Sequence, residues 1–522
     1  MKEAIMHHTS LPRVQRDLKA LQVRWKGDKT SVLPLTDLEL LKLLPDREIV
    51  DYLVHLYFDT FETLYRILHR PSFWNEYQMF WEDHQAAKPA FVILMLLMMA
   101  AVSCLSTKEQ PTYLGDSAIA RERAVLWIEV SEWWLGRHSQ KNIYLAIWQI
   151  RCLLILAKQV NIVKKKRTWT AAGTLVREAM SAGFHRDPSL LGEKVSVFNQ
   201  EMRRRLWATI IELELQASVD RGMPSASAGI PSDSATVLNV DDEDLTVECA
   251  RLPISKSTEY TASSYLHISR LSFSLRVSLN SRVNDLSSPM LYEEVLNYEE
   301  MITKELRRIP PRPGHGETQG IRGLPVVVRT LLDVQLQQFL ILLHAPFARQ
   351  ADTNSRYSLS RMICVNAAAS ILKQHSQLTS SGNFLLLLLR HDYFRAALII
   401  CHNMYISISI QNDLFLNANS NAFIQYVEDA LTMLEDRITR LGTGYPHYWY
   451  ISAACALLRS AVSPEESTAQ KQQAIDRIAR QYYRVLASQE DFLRAKEKII
   501  PICLNKARET ITNPGKGLLI VA

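Results

Sequence analysis

Residues 168–224, TWTAAGTLVREAMSAGFHRDPSLLGEKVSVFNQEMRRRLWATIIELELQASVDRGMP, constrain the fold more than any other stretch of the chain. Trp169, Ala172, Gly173, Val176, Ala179, Met180 and Gly183 recur at helical spacing and form one apolar stripe. Its small residues let a neighbouring helix approach closely. Gly183 stands where a left-handed C-cap stops a helix. His185, Arg186, Asp187 and Pro188 read as a polar turn, because proline disfavours helical geometry in the residue before it. A second helix is predicted from the N-cap Asn199, with Glu201 complementing its positive end. It would bury Met202, Leu206, Thr209, Ile210, Leu213 and Ala217, and stop near Gly222. Two helices joined by a turn, with no strand-like alternation anywhere, predict an all-α fold.

The composition agrees. Glycine makes up 17 of 522 residues, which suits long helices and argues against glycine-rich phosphate loops. Neither a G-x-G-x-x-G nor a G-x-x-x-x-G-K-[ST] sequence occurs, so nucleotide-fold enzymes lose support. His185-Arg186-Asp187 matches the start of a kinase catalytic loop, but that loop needs an Asn five residues after the Asp, where this chain has Gly192. There is no helical His pair for a metal, and no nucleophile elbow. No catalytic, cofactor or metal residues are therefore expected.

The net charge of +6 does not by itself make a nucleic-acid-binding chain. The first 35 residues are more basic, with seven cationic side chains against three acidic ones, and read as a polar lead. The run Ala90–Val102 is too short to span a membrane and is expected as a buried helix. Leu385–Leu389 reads the same way. The aromatic cluster of Trp74, Tyr77, Phe80 and Trp81 is expected to pack the core, or else to line a small-molecule pocket. The seven cysteines are scattered and none is separated from another by two or four residues, so no zinc ribbon or six-cysteine cluster can be drawn.

Beyond these physical readings, the block resembles the signature of the fungal-specific transcription factor domain, the regulatory domain of fungal zinc-cluster transcription factors. The resemblance is carried by Trp169, by Gly183, His185, Arg186, Asp187 and Pro188, by Glu201, Arg203, Arg204, Arg205 and Trp207, and by Asp220, Gly222 and Pro224. The usual Gly-Arg-Pro of the exit is here Gly222-Met223-Pro224. Leu68-His69-Arg70-Pro71-Ser72-Phe73 is similar to the turn that ends the family's opening helix, and Leu343-His344-Ala345-Pro346-Phe347 to a later helix pair.

The resemblance implies one large multi-helix domain over residues 45–480, with loops near 223–262 and 308–323. A basic lead (1–44) would precede it, and a C-terminal helix and tail (481–522) would follow. It further implies a nuclear regulator of RNA polymerase II transcription of metabolic genes, including secondary-metabolite clusters. Expected partners are other transcription factors or co-regulators, as a homo- or heterodimer, and a small-molecule effector. The family's zinc cluster is missing from these residues, so direct contact with DNA is expected only if the true N-terminus carries a reader. Lys164-Lys165-Lys166-Arg167 is the candidate nuclear-import run. One or two of Arg203, Arg204 and Arg205 are expected to pair with carboxylates inside the domain rather than with phosphate. The competing expectation is a helical binding protein or inhibitor that shares the fold and has no transcriptional role.

Overall fold

A computed structural model describes residues 11–29, 36–83, 88–108, 110–137, 145–256, 259–310, 324–410 and 419–500. Regular secondary structure among the described residues is almost entirely helical. The helices are α1 (Leu11–Lys29), α2 (Arg47–Asp59), α3 (Arg70–Glu82), α4 (Pro89–Val102), α5 (Ile119–Arg137), α6 (Leu145–Val160), α7 (Thr168–Ser181), α8 (Val197–Arg221) and α9 (Ser264–Val283). After them come α10 (Tyr292–Arg308), α11 (Val326–Ala348), α12 (Ser358–Ser380), α13 (Leu385–Leu389), α14 (Asp392–Ile410), α15 (Ser420–Leu441), α16 (Tyr445–Val462), α17 (Ser467–Ala487) and α18 (Phe492–Ile499).

The centre of the molecule is α4. Pro89 occupies its first turn, where a missing N–H costs nothing. Every residue from Phe91 to Val102 is buried, and α2, α5 and α6 surround it. Phe73, Tyr77 and Phe80 of α3 interlock with Phe91, so the aromatic cluster packs the core. A second cluster joins α11, α12 and α14 to α17. Helix α11 is long and apolar enough to cross a membrane by length and composition, but most of it is buried among its neighbours.

The only strands among the described residues are β1 (Tyr113–Leu114) and β2 (Ser117–Ala118), paired antiparallel as Tyr113 with Ala118 and Leu114 with Ser117. This hairpin is a junction. A Cβ on Gly115 (φ +65°) would lie 2.5 Å from the Leu18 carbonyl oxygen, and one on Gly442 (φ +71°) 2.5 Å from the Ala118 nitrogen. Both positions need glycine, for their left-handed backbone and for this close approach.

Several expectations need correction. The basic lead contains helix α1, which buries Leu11, Val14, Leu18 and Trp25. Trp25 and Gln22 donate to the buried Glu122 carboxylate at 2.7 and 3.0 Å. The charges between those apolar positions hid a helical stripe. Helix α8 starts at Val197 rather than Asn199: Ser196 is its N-cap and accepts from the Asn199 N–H. The segment 223–262 is not a simple surface loop, since Val237, Val240, Asp242 and Leu245 are buried. Residue 480 falls inside α17, where Tyr482 stacks on Tyr445 with ring centroids 4.3 Å apart. Residues 311–323 of the expected 308–323 loop, and 501–522 of the tail, lie outside the described residues.

Candidate functional site

The signature residues assemble around a strap formed by residues 225–242. Helix α7 ends as its sequence requires. Gly183 is left-handed (φ +75°), its N–H bonds the Met180 carbonyl, and the Phe184 N–H bonds the Ala179 carbonyl, which closes a Schellman motif. Arg203 of α8 then donates to the Ala182 carbonyl at 2.8 Å and lies over the Phe184 ring. Arg204 pairs with Asp187 at 2.9 Å. Asp187 also accepts from the Ser189 N–H, capping the short 3-10 turn at Pro188, and from the Ala235 N–H of the strap. Partial burial pushes the Asp187 carboxyl up, but the bonds from Ser189, Arg204 and Ala235 outweigh it and hold the group well below the usual carboxylate range.

The remaining signature residues tie the strap down. Arg186 pairs with Asp233 at 2.9 Å, and the Asp187 N–H donates to the same carboxylate. Trp207 donates to Ser232, whose hydroxyl donates to the His185 carbonyl. Trp169, at the start of α7, donates to the Pro224 carbonyl at the exit of α8. Asp220 accepts from Gln216, and Gly222 caps α8 at φ +66°. The buried Glu214 carboxylate gathers Ser218, Ser225, Ser227 and the Ala226 N–H just beyond.

Below the strap lies a buried ionic hub that the sequence pattern did not single out. Its centre is Asp242, from the acidic stretch Asp241-Asp242-Glu243-Asp244. Arg205 reaches Asp242 at 2.6 Å and Glu201 at 3.5 Å. Arg66 pairs with the same Asp242 oxygen and with Glu62 at 3.9 Å. The turn before α3 docks on this residue too: the Arg70 N–H donates to the Asp242 carboxylate, and His69 Nε2 donates to its carbonyl. Glu201 therefore does not serve the helix dipole at the surface; it is fully buried and also accepts from the Leu238 N–H.

Burial alone would raise the Asp242 carboxyl, yet the charges of Arg66 and Arg205 hold it well below its ordinary value. Burial dominates at Glu62, pushing it up to about 8 against Arg66, the Leu68 N–H and the Tyr57 hydroxyl. Isolated charges do not persist in such surroundings. The arrangement is a lock joining α2, α3 and α8, and its arginines are committed. A charge within an apolar run was the one available signal: Arg66 follows buried Leu64 and Tyr65, and Glu212 sits within Ile210-Ile211-Glu212-Leu213 of α8. Glu212 in turn holds Arg276 in a bidentate pair at 2.6 and 2.9 Å.

The candidate import run lies outside this lock. Lys164 is left-handed, and Lys165–Arg167 form a 3-10 turn leading into α7. All four residues are exposed, and Lys164 pairs with Glu132 at 2.9 Å.

Two other features bear on chemistry. Ser360 Oγ lies 3.0 Å from His344 Nδ1, and His344 Nε2 lies 3.5 Å from Glu299. Both Ser360 and His344 are fully buried, and burial pushes the imidazole down to about 4, which is poor for a general base at neutral pH. A hollow of about 260 Å³ between α11 and α12 is lined by Arg329, Asp333, Gln337, Ser370, Lys373, Gln374 and Gln377. It lacks the apolar walls that small organic ligands favour. Among the described residues no group of three metal-binding side chains comes together.

Comparison with known proteins identifies the architecture. Residues 54–303, which include the hub, the strap and the signature block, match the fungal specific transcription factor domain. Transcription factor opdR of Penicillium oxalicum is 31% identical over 367 residues, covering 69% of this chain and 45% of opdR. The Zn(2)-C6 fungal-type transcription factor mpsB of Macrophomina phaseolina is 27% identical over 389 residues, covering 70% of this chain and 51% of mpsB. The equisetin cluster transcription factor eqxF of Fusarium heterosporum is 26% identical over 397 residues, covering 70% of this chain and 55% of eqxF. The chain thus spans about half the length of the relatives it matches. No solved structure matches it. The helix pair closed by Gly183 and Gly222, with its arginines turned inward onto Asp187 and Asp242, is the core of a fungal specific transcription factor domain, and the chain belongs to that family.

Proposed function

We propose that this chain acts in the nucleus as the regulatory and interaction part of a fungal transcriptional regulator, controlling RNA polymerase II transcription of a biosynthetic gene cluster. The observation that carries this reading is the domain match over 54–303, joined to relatives whose names are those of cluster transcription factors. The inward commitment of Arg204 and Arg205 supports a scaffold role for the signature helix, because neither guanidinium is free to meet phosphate. DNA contact is assigned to a zinc-cluster reader, either on a partner regulator or N-terminal to the residues considered. Lys165, Lys166 and Arg167 present an exposed basic turn suited to an import receptor's acidic pockets, while Lys164 is tied to Glu132.

The test is chromatin occupancy of the tagged protein in its host, with a parallel pull-down. Focused peaks that vanish when a co-purified zinc-cluster protein is deleted place the reader on a partner. Peaks that persist without a partner place it on the same chain. A cytoplasmic protein with no peaks overturns the transcriptional reading. Replacing Lys165, Lys166 and Arg167 together by Ala is expected to move the protein into the cytoplasm, scored by fluorescence of the tagged chain.

A further inference from the structure

Arg437, near the end of α15, is a buried cation without a carboxylate. It is 2% exposed. Its Nη1 donates to His391 Nδ1 at 2.8 Å, to the Tyr393 hydroxyl and to the Arg390 carbonyl at 3.5 Å, all neutral acceptors. Its Nε and Nη2 are buried with no hydrogen-bond partner, as are those of Arg205, so what sets it apart is the missing carboxylate. Among the described residues the other deeply buried arginines each meet an acid: Arg66 and Arg205 share Asp242, Arg276 has Glu212, and Arg390 has Asp392.

The groups beside Arg437 add to its charge instead of cancelling it. His391 and His447 sit with ring centroids 6.2 Å apart, and His447 stacks on Phe394 at 4.1 Å. From the turn before α7, the charge of Lys165 also bears on both histidines. Burial, then Arg437, Lys165, His447 and Arg390, all push the His391 imidazole well below its ordinary value. Burial, Lys165 and Arg437 lower His447 to about 4. Lys165 is exposed overall, yet desolvation and the Arg437 charge lower its ammonium. Asp220 is the acid that faces Lys165. The other nearby acid, Asp392, is already engaged by Arg390 and His375.

The hydrogen bond from Arg437 also sets the tautomer of His391. Nδ1 accepts, so the ring proton resides on Nε2, away from Arg437, as a free donor. A neutral imidazole donor and a guanidinium without a carboxylate are held together by α14, α15 and α16, within reach of the charge of an exposed ammonium. Such preorganised donors and positive charge are what an oxyanion requires.

We propose that Lys165, His391, His447 and Arg437 form a binding site for a small oxyanion effector, a carboxylate or a phosphate monoester. Lys165 and the Nε2–H of His391 contact the anion. Arg437 acts as a positioning residue: it holds the tautomer and supplies the field. The site joins the signature block to the C-terminal helices, so an anion bound there would bridge the two.

The test titrates the purified full chain with orthophosphate and, separately, with succinate, each against sodium chloride at equal ionic strength, following melting temperature and heat of binding. Saturable binding beyond the chloride control is expected for at least one probe, and which one saturates names the ligand class. Lys165→Ala, at the exposed rim, is expected to weaken binding at least tenfold without changing the melting temperature of the anion-free protein. Arg437→Met is expected to abolish binding and to leave that melting temperature unchanged or raised. No saturable response from the wild type overturns the proposal, as does undiminished binding by Lys165→Ala.

Discussion

The molecule holds two buried clusters of positive charge, and they are opposites. Around Asp242, two guanidiniums meet three carboxylates, from Asp242, Glu201 and Glu62, in a closed lock. Around Arg437, a guanidinium meets two imidazoles, a hydroxyl and a carbonyl, with a lysine nearby. The first cluster lies inside the matched domain and the second at its junction with the C-terminal helices. The contrast shows how to separate structural arginines from ligand-seeking ones. A buried charge that has a counter-charge resists removal of its partner, whereas one without a counter-charge awaits one.

The sharpest way to break this comparison is to remove the centre of the lock. Asp242→Ala leaves Arg66 and Arg205 buried without their shared partner, and is expected to cost about 3–5 kcal/mol in denaturant unfolding. A loss under about 1 kcal/mol would show that water reaches the hub and that the lock is not closed.

Acid should act next most strongly. His344 and His447 are lowered to about 4 and His391 lies well below its ordinary value, all with burial as the leading cause. As pH falls below about 6.5 the unfolded chain takes up protons that the folded chain refuses. The stability these neutral imidazoles contribute is therefore complete above that pH and is lost as pH falls toward 4, by on the order of 1–3 kcal/mol for each group. Urea titrations at pH 7, 6, 5 and 4 measure this arm. Arg437→Met is expected to flatten it, because the Arg437 charge is one cause of the low imidazole values.

A smaller effect separates the helix cap from the lock. Arg203→Ala loses one bond to the Ala182 carbonyl and the contact with the Phe184 ring, with an expected cost of about 1 kcal/mol. An equal loss in Asp242→Ala and Arg203→Ala would mean that hub and cap are energetically alike. The smallest change is expected for Arg437→Met without anion. A marked fall in its melting temperature would place Arg437 with the structural arginines.

What the sequence determined by itself was local. Helical spacing located α7, and Gly183 and Gly222 marked two helix ends, because a left-handed residue is a backbone requirement that glycine announces. The apolar run after Pro89 declared a core helix for the same kind of reason: burial of every face follows from composition alone. The inward pairing of Arg204 and Arg205 was expected in kind, though not in partner.

Only the tertiary structure decided which charges are buried. Asp242 lies in an acidic stretch that reads as surface, and it became the hub because Arg205 arrives from α8 and Arg66 from the turn after α2. Helix α1 looked like a solvated lead until Leu18 met the Gly115 hairpin and Trp25 met Glu122. Arg437 and Lys165 are 272 positions apart in the numbering, and nothing in either neighbourhood signals the other. Hydrogen bonding within a helix and apolar patterning are set by residues a turn apart, so the chain displays them. Electrostatic partnership depends on which helices meet, and a one-dimensional pattern does not carry that.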